Sequence, residues 1–174
     1  MAKIYGAAGF PKLIKGYPTQ TNLIDVQGGL LGGAAEVKFG DLVVFDSLAG
    51  HYKAFVANST LASLAGIVVA TNAKLATQYP ANGMEVGYKV GEAINLLPFH
   101  KANVGGYIAV ELDSAVDAAN VVEGAVVAFL PATGKFTVHG DGATDIPFAH
   151  FTGIVENHGT VAAPVLIAEI AVGC

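Results

Sequence analysis

Five histidines, fourteen carboxylates and one cysteine are the residues of this 174-residue chain that could do chemistry. His51, His100, His139, His150 and His158 never pair as HxH, HxxxH or HExxH, the spacings that aim two imidazoles at one metal ion. The densest group is His139, Asp141, Asp145 and His150 in the segment HGDGATDIPFAH. A solvated insertion between a hairpin and the next strand accounts for it better than a bound ion, so no metal is expected. Glu111, Asp113, Asp117 and Glu123 read as solvated charges or as gatekeepers against edge pairing. Nucleophilic catalysis has no better footing: there is no GxSxG elbow, and Cys174, the last residue, lacks a positioned base. Cys174 reads as a free terminal thiol, with an interchain disulfide as the alternative. The glycine-rich stretches also fall short. GGLLGG at 28–33 lacks the Gly-Lys-Ser/Thr ending of a phosphate loop and reads as a flexible joint, and Gly87 to Glu92 fails the dinucleotide fingerprint on spacing. No catalytic set and no cofactor are expected, and an enzyme is disfavoured.

Composition points toward surfaces that meet other proteins. Apolar residues make up 53% of the chain and charged residues 13%, about half the usual charged share, which is too little to cover an ordinary free surface. All nine basic residues are lysine, and the net charge is −5, so the basic clusters and bidentate arginines that grip phosphates are missing and nucleic acid is not an expected partner. The most apolar region, Val104 to Leu130, is cut by Glu111, Asp113, Asp117 and Glu123, short of the roughly 18 to 20 uncharged residues of a membrane helix, so no membrane is expected either. The N-terminal stretch has lysines but no apolar core before a small-residue cleavage site, which makes cytoplasmic synthesis the expectation.

The elements that must carry these residues are short strands. Gly40 to Phe55, GDLVVFDSLAGHYKAF, holds a β-branched run, turn chemistry and a returning alternation, and so predicts a β-hairpin. The instruction returns eighty-four positions on in GAVVAFLPATGKFTV, where Gly124, Val127, Phe129, Gly134 and Phe136 match Gly40, Val43, Phe45, Gly50 and Tyr52. A second echo sets Gly66-Ile67-Val68 against Gly153-Ile154-Val155 at an offset of eighty-seven. Together they suggest a duplicated β unit. Further strands are predicted near 52–56, 85–90, 93–97, 107–112 and 165–172, with helical turns near 58–64 and 114–119. PVLIAEIAV carries one charge, Glu169, and is expected between two neighbours in a sheet. The fold class is all-β, a small barrel or sandwich.

Residues 1–35 differ: glycines and prolines interrupt apolar side chains with no period, which reads as an extended N-terminal arm before a body over 36–174. Ile4, Tyr5, Phe10, Leu13, Ile14 and Tyr17, with Cys174, are the candidate interface residues. The arm either grips a partner or wraps its own barrel. Removing 1–35 is expected to leave a folded body.

The cadence GDLVVFDSLAG, LAGIVVA, EVGYKVGEAINLL, EGAVVAFLPATGKFTV, FTGIVENHG and APVLIAEIAV resembles the capsid decoration or structural cement proteins of tailed bacteriophages over roughly Phe39 to Val172. The resemblance implies a β-barrel or sandwich on the outer surface of an icosahedral shell, bound to the major capsid protein and self-associating as a trimer or dimer. It brings no catalytic residues with it. Two other readings remain open, a tail or baseplate component and a soluble β-barrel ligand-binding module. The absence of Trp and the scatter of six Tyr leave the ligand-binding module without an evident aromatic cleft.

Overall fold

Gly40 and Gly124 both turn the chain at positive φ, +78° and +81°, and deliver it into apolar β-branched runs that suit a strand better than a helix. The computed structural model describes residues 3–4, 13–19, 26–70, 87–99 and 106–173. Their strands are β1 (Lys3–Ile4), β2 (Gln27–Leu31), β3 (Val37–Lys38), β4 (Leu42–Phe45), β5 (His51–Ala54), β6 (Leu64–Val68), β7 (Gly87–Tyr88), β8 (Ala93–Pro98), β9 (Gly106–Glu111), β10 (Val126–Phe129), β11 (Phe136–Val138), β12 (Thr144–Asn157) and β13 (Leu166–Val172). Only two short 3-10 turns, Leu61–Ser63 and Ala118–Asn120, interrupt them among the described residues. The fold is all-β.

Five strands close a first barrel in the order β2-β5-β4-β6-β8. The β4–β5 hairpin forms where expected, and Gly50 makes its turn at φ +75°. β6 returns antiparallel to β4, β8 to β6 and β2 to β8; β2 then meets β5 in parallel at Leu31 and Tyr52, which removes both sheet edges. Val43, Leu31, Tyr52, Val68, Ile94 and Leu96 gather into one buried cluster. Gly29 is required in β2, because a Cβ there would lie 2.0 Å from the Tyr52 ring. The 28–33 segment is therefore not a flexible joint; its first four residues are a barrel strand. β2 falls within the segment expected to be an arm. Its two glycines hide the strand signal in the sequence, since a strand is normally recognised by its side chains.

The remaining strands repeat this plan. β11-β10-β12-β13-β9 follow one another in a second sheet, and Leu112 beside β9 meets Phe136 of β11 in parallel, as Leu31 meets Tyr52. The hydrogen bonds repeat as well. Gly40 and Asp41 exchange backbone bonds with Val68, and Gly124 and Ala125 do so with Phe151. Gly32 N–H donates to Tyr52 O at 2.7 Å and Asp113 N–H to Phe136 O at 2.7 Å; Asp46 N–H donates to His51 O and Leu130 N–H to Lys135 O. Asn58 and Gly142, both at positive φ, follow the two hairpins at matching places. The duplication is thus one of a whole five-stranded unit. Its third strand is not aligned as the Gly-Ile-Val echo suggested, however, because bonding pairs Val68 with Phe151 rather than with Val155.

A second correction concerns 139–150. Thr144 to His150 form the first half of β12 and pair with β10 and β13, so only His139 to Ala143 form a loop. A register shift opposite Val126 and Ala128 bends β12 there and blurs its alternation in the sequence. Beyond Phe151, β12 outruns β10, and β1 pairs in parallel along Ile154 and Val155. β13 lies between β12 and β9, as its single charge implied.

The two units share one interior. Leu42, Val44, Leu64, Ile67 and Leu97 on the outside of the first join Ile108, Val110, Val127, Phe129, Ile146, Phe151 and Ile170 of the second in the largest buried cluster. β4 is therefore apolar on both faces, Val43 toward its own barrel and Leu42 and Val44 toward the other, each such burial being worth roughly 1.5–3 kcal/mol. Residues 13–19 run as a strap along the seam. Gly16 N–H donates to Ala109 O at 2.7 Å in the second unit, and Gly16 O accepts from Ala70 N–H at 2.7 Å beside the first.

Gly16 has φ +72°, and a Cβ there would lie 2.4 Å from Gly40 N. Both the conformation and the space exclude a side chain, so Gly16→Ala is expected to cost about 3 kcal/mol. A urea-derived unfolding free energy lowered by that amount, against a smaller loss for Gly91→Ala, which carries the same positive-φ strain but has no neighbour within 4 Å, checks it.

Candidate functional site

The strap places a charged group where neither barrel supplies one. Lys15 is only 5% exposed, and its ammonium sits 2.7 Å from Asp41 Oδ1 on the first unit and 3.3 Å from Glu111 Oε2 on the second. Lys135 reaches Glu111 Oε1 at 2.7 Å from the second hairpin. Burial pushes the Glu111 carboxyl up, but Lys15 and Lys135 together outweigh it and hold the group below its ordinary value. Glu111 is thus a structural ion-pair residue and not a solvated gatekeeper. Asp113 and Asp117 cap local turns by accepting from Ala115 N–H and Ala119 N–H.

The other sequence-selected residues divide between seam, surface and the undescribed segments. Leu13 is buried against Ala109 and Ile167, and its N–H donates to the buried Glu156 carboxylate, which His158 Nε2 also approaches at 3.2 Å. Ile14 is half-buried, and Tyr17 is half-buried against the first barrel's cluster, its backbone O accepting from Ala109 N–H. The backbone of Ile4 pairs with Val155. Tyr5, Phe10, His100 and Cys174 lie outside the described residues. In the histidine-rich segment, His139 Nδ1 contacts Asp145 at 2.9 Å, and among the described residues no group of three or more His, Cys, Asp or Glu gathers around one point.

What the sequence missed is an asymmetry between the two hairpin tips. Phe129 is fully buried; the Phe55 ring, on the connection leaving the first hairpin, stands edge-on to it at a centroid distance of 5.9 Å. The same ring covers Gly134, where a Cβ would lie 2.6 Å from Phe55 Cγ, and Asn58 N–H donates to Pro131 O at 2.7 Å. At the first tip, Phe45 stacks against Tyr52 at 6.0 Å and remains 45% exposed, and Leu48 is 61% exposed. Gly50, the counterpart of Gly134 at nearly the same φ, faces nothing within 4 Å. The signal was available: Phe45 and Phe129 align in the repeat, but only the fold shows which of them is covered. Beside the tip, Asp46 accepts from Ser47 N–H at 2.8 Å and lies 3.6 Å from Lys53; chiefly that backbone bond holds its carboxyl below the ordinary value.

The sequence family described as structural cement protein (E217 gp24/Pam3 gp6), of phage origin, matches residues 2–172. No curated protein matches the chain.

Two outcomes follow from the Lys15–Glu111 pairing. Lys15→Ala strips a buried cation from between two carboxylates and is expected to cost about 2–3 kcal/mol in urea unfolding. Because the folded Glu111 value lies below the ordinary 4.5, its contribution is complete above that pH and is lost as pH falls through the lowered folded value. The stability gap between wild type and Glu111→Gln is therefore expected to be widest near neutral pH and to close under acid; a constant gap from pH 7 to 3 contradicts the assignment.

Proposed function

Since the chain belongs to the phage structural cement protein family, with the virion structural role and capsid association that this brings, we propose that it binds the outer face of the capsid, holds the major capsid protein and neighbouring copies of itself, and catalyses nothing. The observation that supports this reading is the build of the body: two copies of one five-stranded unit, the first closed into a barrel, fused through a common apolar interior and locked by a strap. Such a body resists shear because its strand backbones are bonded in ladders and its two halves cannot separate without exposing the largest cluster in the molecule. Rigidity of this kind is what a cement needs, since modest contacts repeated over a lattice sum to strong binding only if the connector does not yield.

The exposed apolar side chains fit the same role. Phe45, Leu48 and Leu30 lie on the first hairpin tip and the strand beside it, where a neighbour can reach them. The arm is proposed as a second contact through Tyr5 and Phe10, with Cys174 at the opposite end of the chain available to a neighbouring copy.

Purified protein is expected to co-sediment with undecorated shells at saturable stoichiometry, to raise their thermal disruption temperature, and to elute as a dimer or trimer in size-exclusion with light scattering. A monomer that leaves shells unaltered contradicts the reading. Deleting 1–12, which spares β2 and the strap, is expected to keep the far-ultraviolet dichroism of the body and to weaken shell binding at least about tenfold; undiminished binding removes the arm from the contact.

A further inference from the structure

The strap is fastened to the second unit at two carboxylates that stand in one row. Glu156 of β12 lies opposite Ile167 of β13, and Ile167 lies opposite Glu111 of β9. Leu13 packs on Ile167 in the middle of that row, and its N–H donates to Glu156 Oε2 at 3.0 Å. Two residues on, the Lys15 ammonium lies 3.3 Å from Glu111 Oε2. The two fastenings differ in chemistry. At Glu111 the cations are Lys15 and Lys135, and lysine keeps its charge throughout the neutral range. At Glu156 an imidazole takes that place: His158 Nε2 lies 3.2 Å from the same Oε2 that accepts the Leu13 N–H. Glu156 is 3% exposed and the His158 side chain 12%, so water screens the pair poorly. The other charged groups on this face are Glu111 with its lysines and Glu169, two residues along β13 from Ile167, whose carboxylate accepts from Thr152 Oγ1 at 2.8 Å; β1 brings Lys3 to the register position of Ile154.

We propose that Glu156 and His158 form a pH-sensitive latch on the entry end of the strap, closed while the imidazole carries its second proton and loosened when it gives that proton up, with the Lys15–Gly16 joint staying shut throughout. A neutral imidazole still donates through Nε2–H, so deprotonation removes a charge rather than a bond. A charge-assisted contact beside a buried carboxylate becomes an ordinary one, and the Leu13 N–H loses an acceptor held firmly in place. The contribution of the latch is therefore present on the acid side and is lost as pH rises through the range of about 5 to 8 in which histidine changes charge. The Glu111 pairing runs the other way, lost as pH falls, so the two fastenings answer pH in opposite senses. Opening frees the entry end alone. Gly16, Tyr17 and Thr19 stay bonded through their backbones to Ala70, Ala109 and Tyr107. The latch belongs to the free protein and does not depend on shell binding.

Amide hydrogen exchange on the full-length protein, followed by NMR, reads the latch as the protection factor of the Leu13 N–H, which corrects for the intrinsic pH dependence of exchange. Between about pH 6 and about pH 8 that factor is expected to fall at least about threefold, while the factor at Gly16 stays within about twofold. His158→Gln keeps a donor without a charge and is expected to hold Leu13 at the low value at both ends of the range. His158→Lys supplies a charge that does not titrate there and is expected to hold the high value at both ends. Leu13 protection that is constant in the wild type overturns the proposal. So does an equal fall at Gly16, which would make the strap move as one piece, and so does a pH dependence retained in His158→Gln. The wild-type profile decides by itself, so a variant that fails to fold does not shield the proposal.

Discussion

The fold depends on one joint, the dipeptide Lys15-Gly16 lying between two barrels. Gly16 bonds to both units through its own N–H and C=O, and the Lys15 ammonium sits between a carboxylate of each. A barrel pair without it would still share an apolar interior, but apolar contact is non-directional and tolerates sliding. The strap converts that contact into a fixed register, because a buried cation with two specific partners has no alternative position of similar energy. The cost is sequence constraint: only glycine fits at 16 and 40, where a Cβ on either would lie within 3 Å of the other's backbone nitrogen.

Duplication explains the composition. A lone five-stranded unit of this size would leave Leu42, Val44, Ile67 and Leu97 on its surface; fused to its copy, they become interior. The high apolar fraction of the chain therefore has two sources, strands buried on both faces and a smaller remainder shown at the first hairpin tip. The scarcity of charge is not wholly a sign of partner surface. Part of it is the second face of β4, β6 and β8.

The sequence made the hairpins legible because Gly40, Gly50, Gly124 and Gly134 mark positive-φ turns around β-branched runs, and it made β13 legible because one charge in nine residues implies neighbours on both sides. It did not reveal β2, where Gly29 gives way to the Tyr52 ring and Gly28 beside it adds no side chain, so that no strand pattern shows, nor the first half of β12, whose bulge breaks the period of two. The Gly-Ile-Val echo misled in register, since identical short words can fall four residues out of step in equivalent strands. Of the interface candidates, Leu13 appeared in the sequence as a sticky arm residue because nothing local distinguishes an apolar side chain that meets a partner from one that meets its own sheet. The exposed tip at Phe45 and Leu48 was hidden for the converse reason: its Phe45 and Gly50 match Phe129 and Gly134 of the covered tip, and exposure is a property of the assembled fold.

The most direct measurement is a single-particle reconstruction of shells saturated with this protein, at a resolution that separates strands. The account predicts a two-lobed density on the outer surface, both lobes fixed in one orientation, with the Phe45–His51 hairpin against a neighbouring subunit. Density in which the lobes take independent orientations, or in which that hairpin points to solvent, would contradict it.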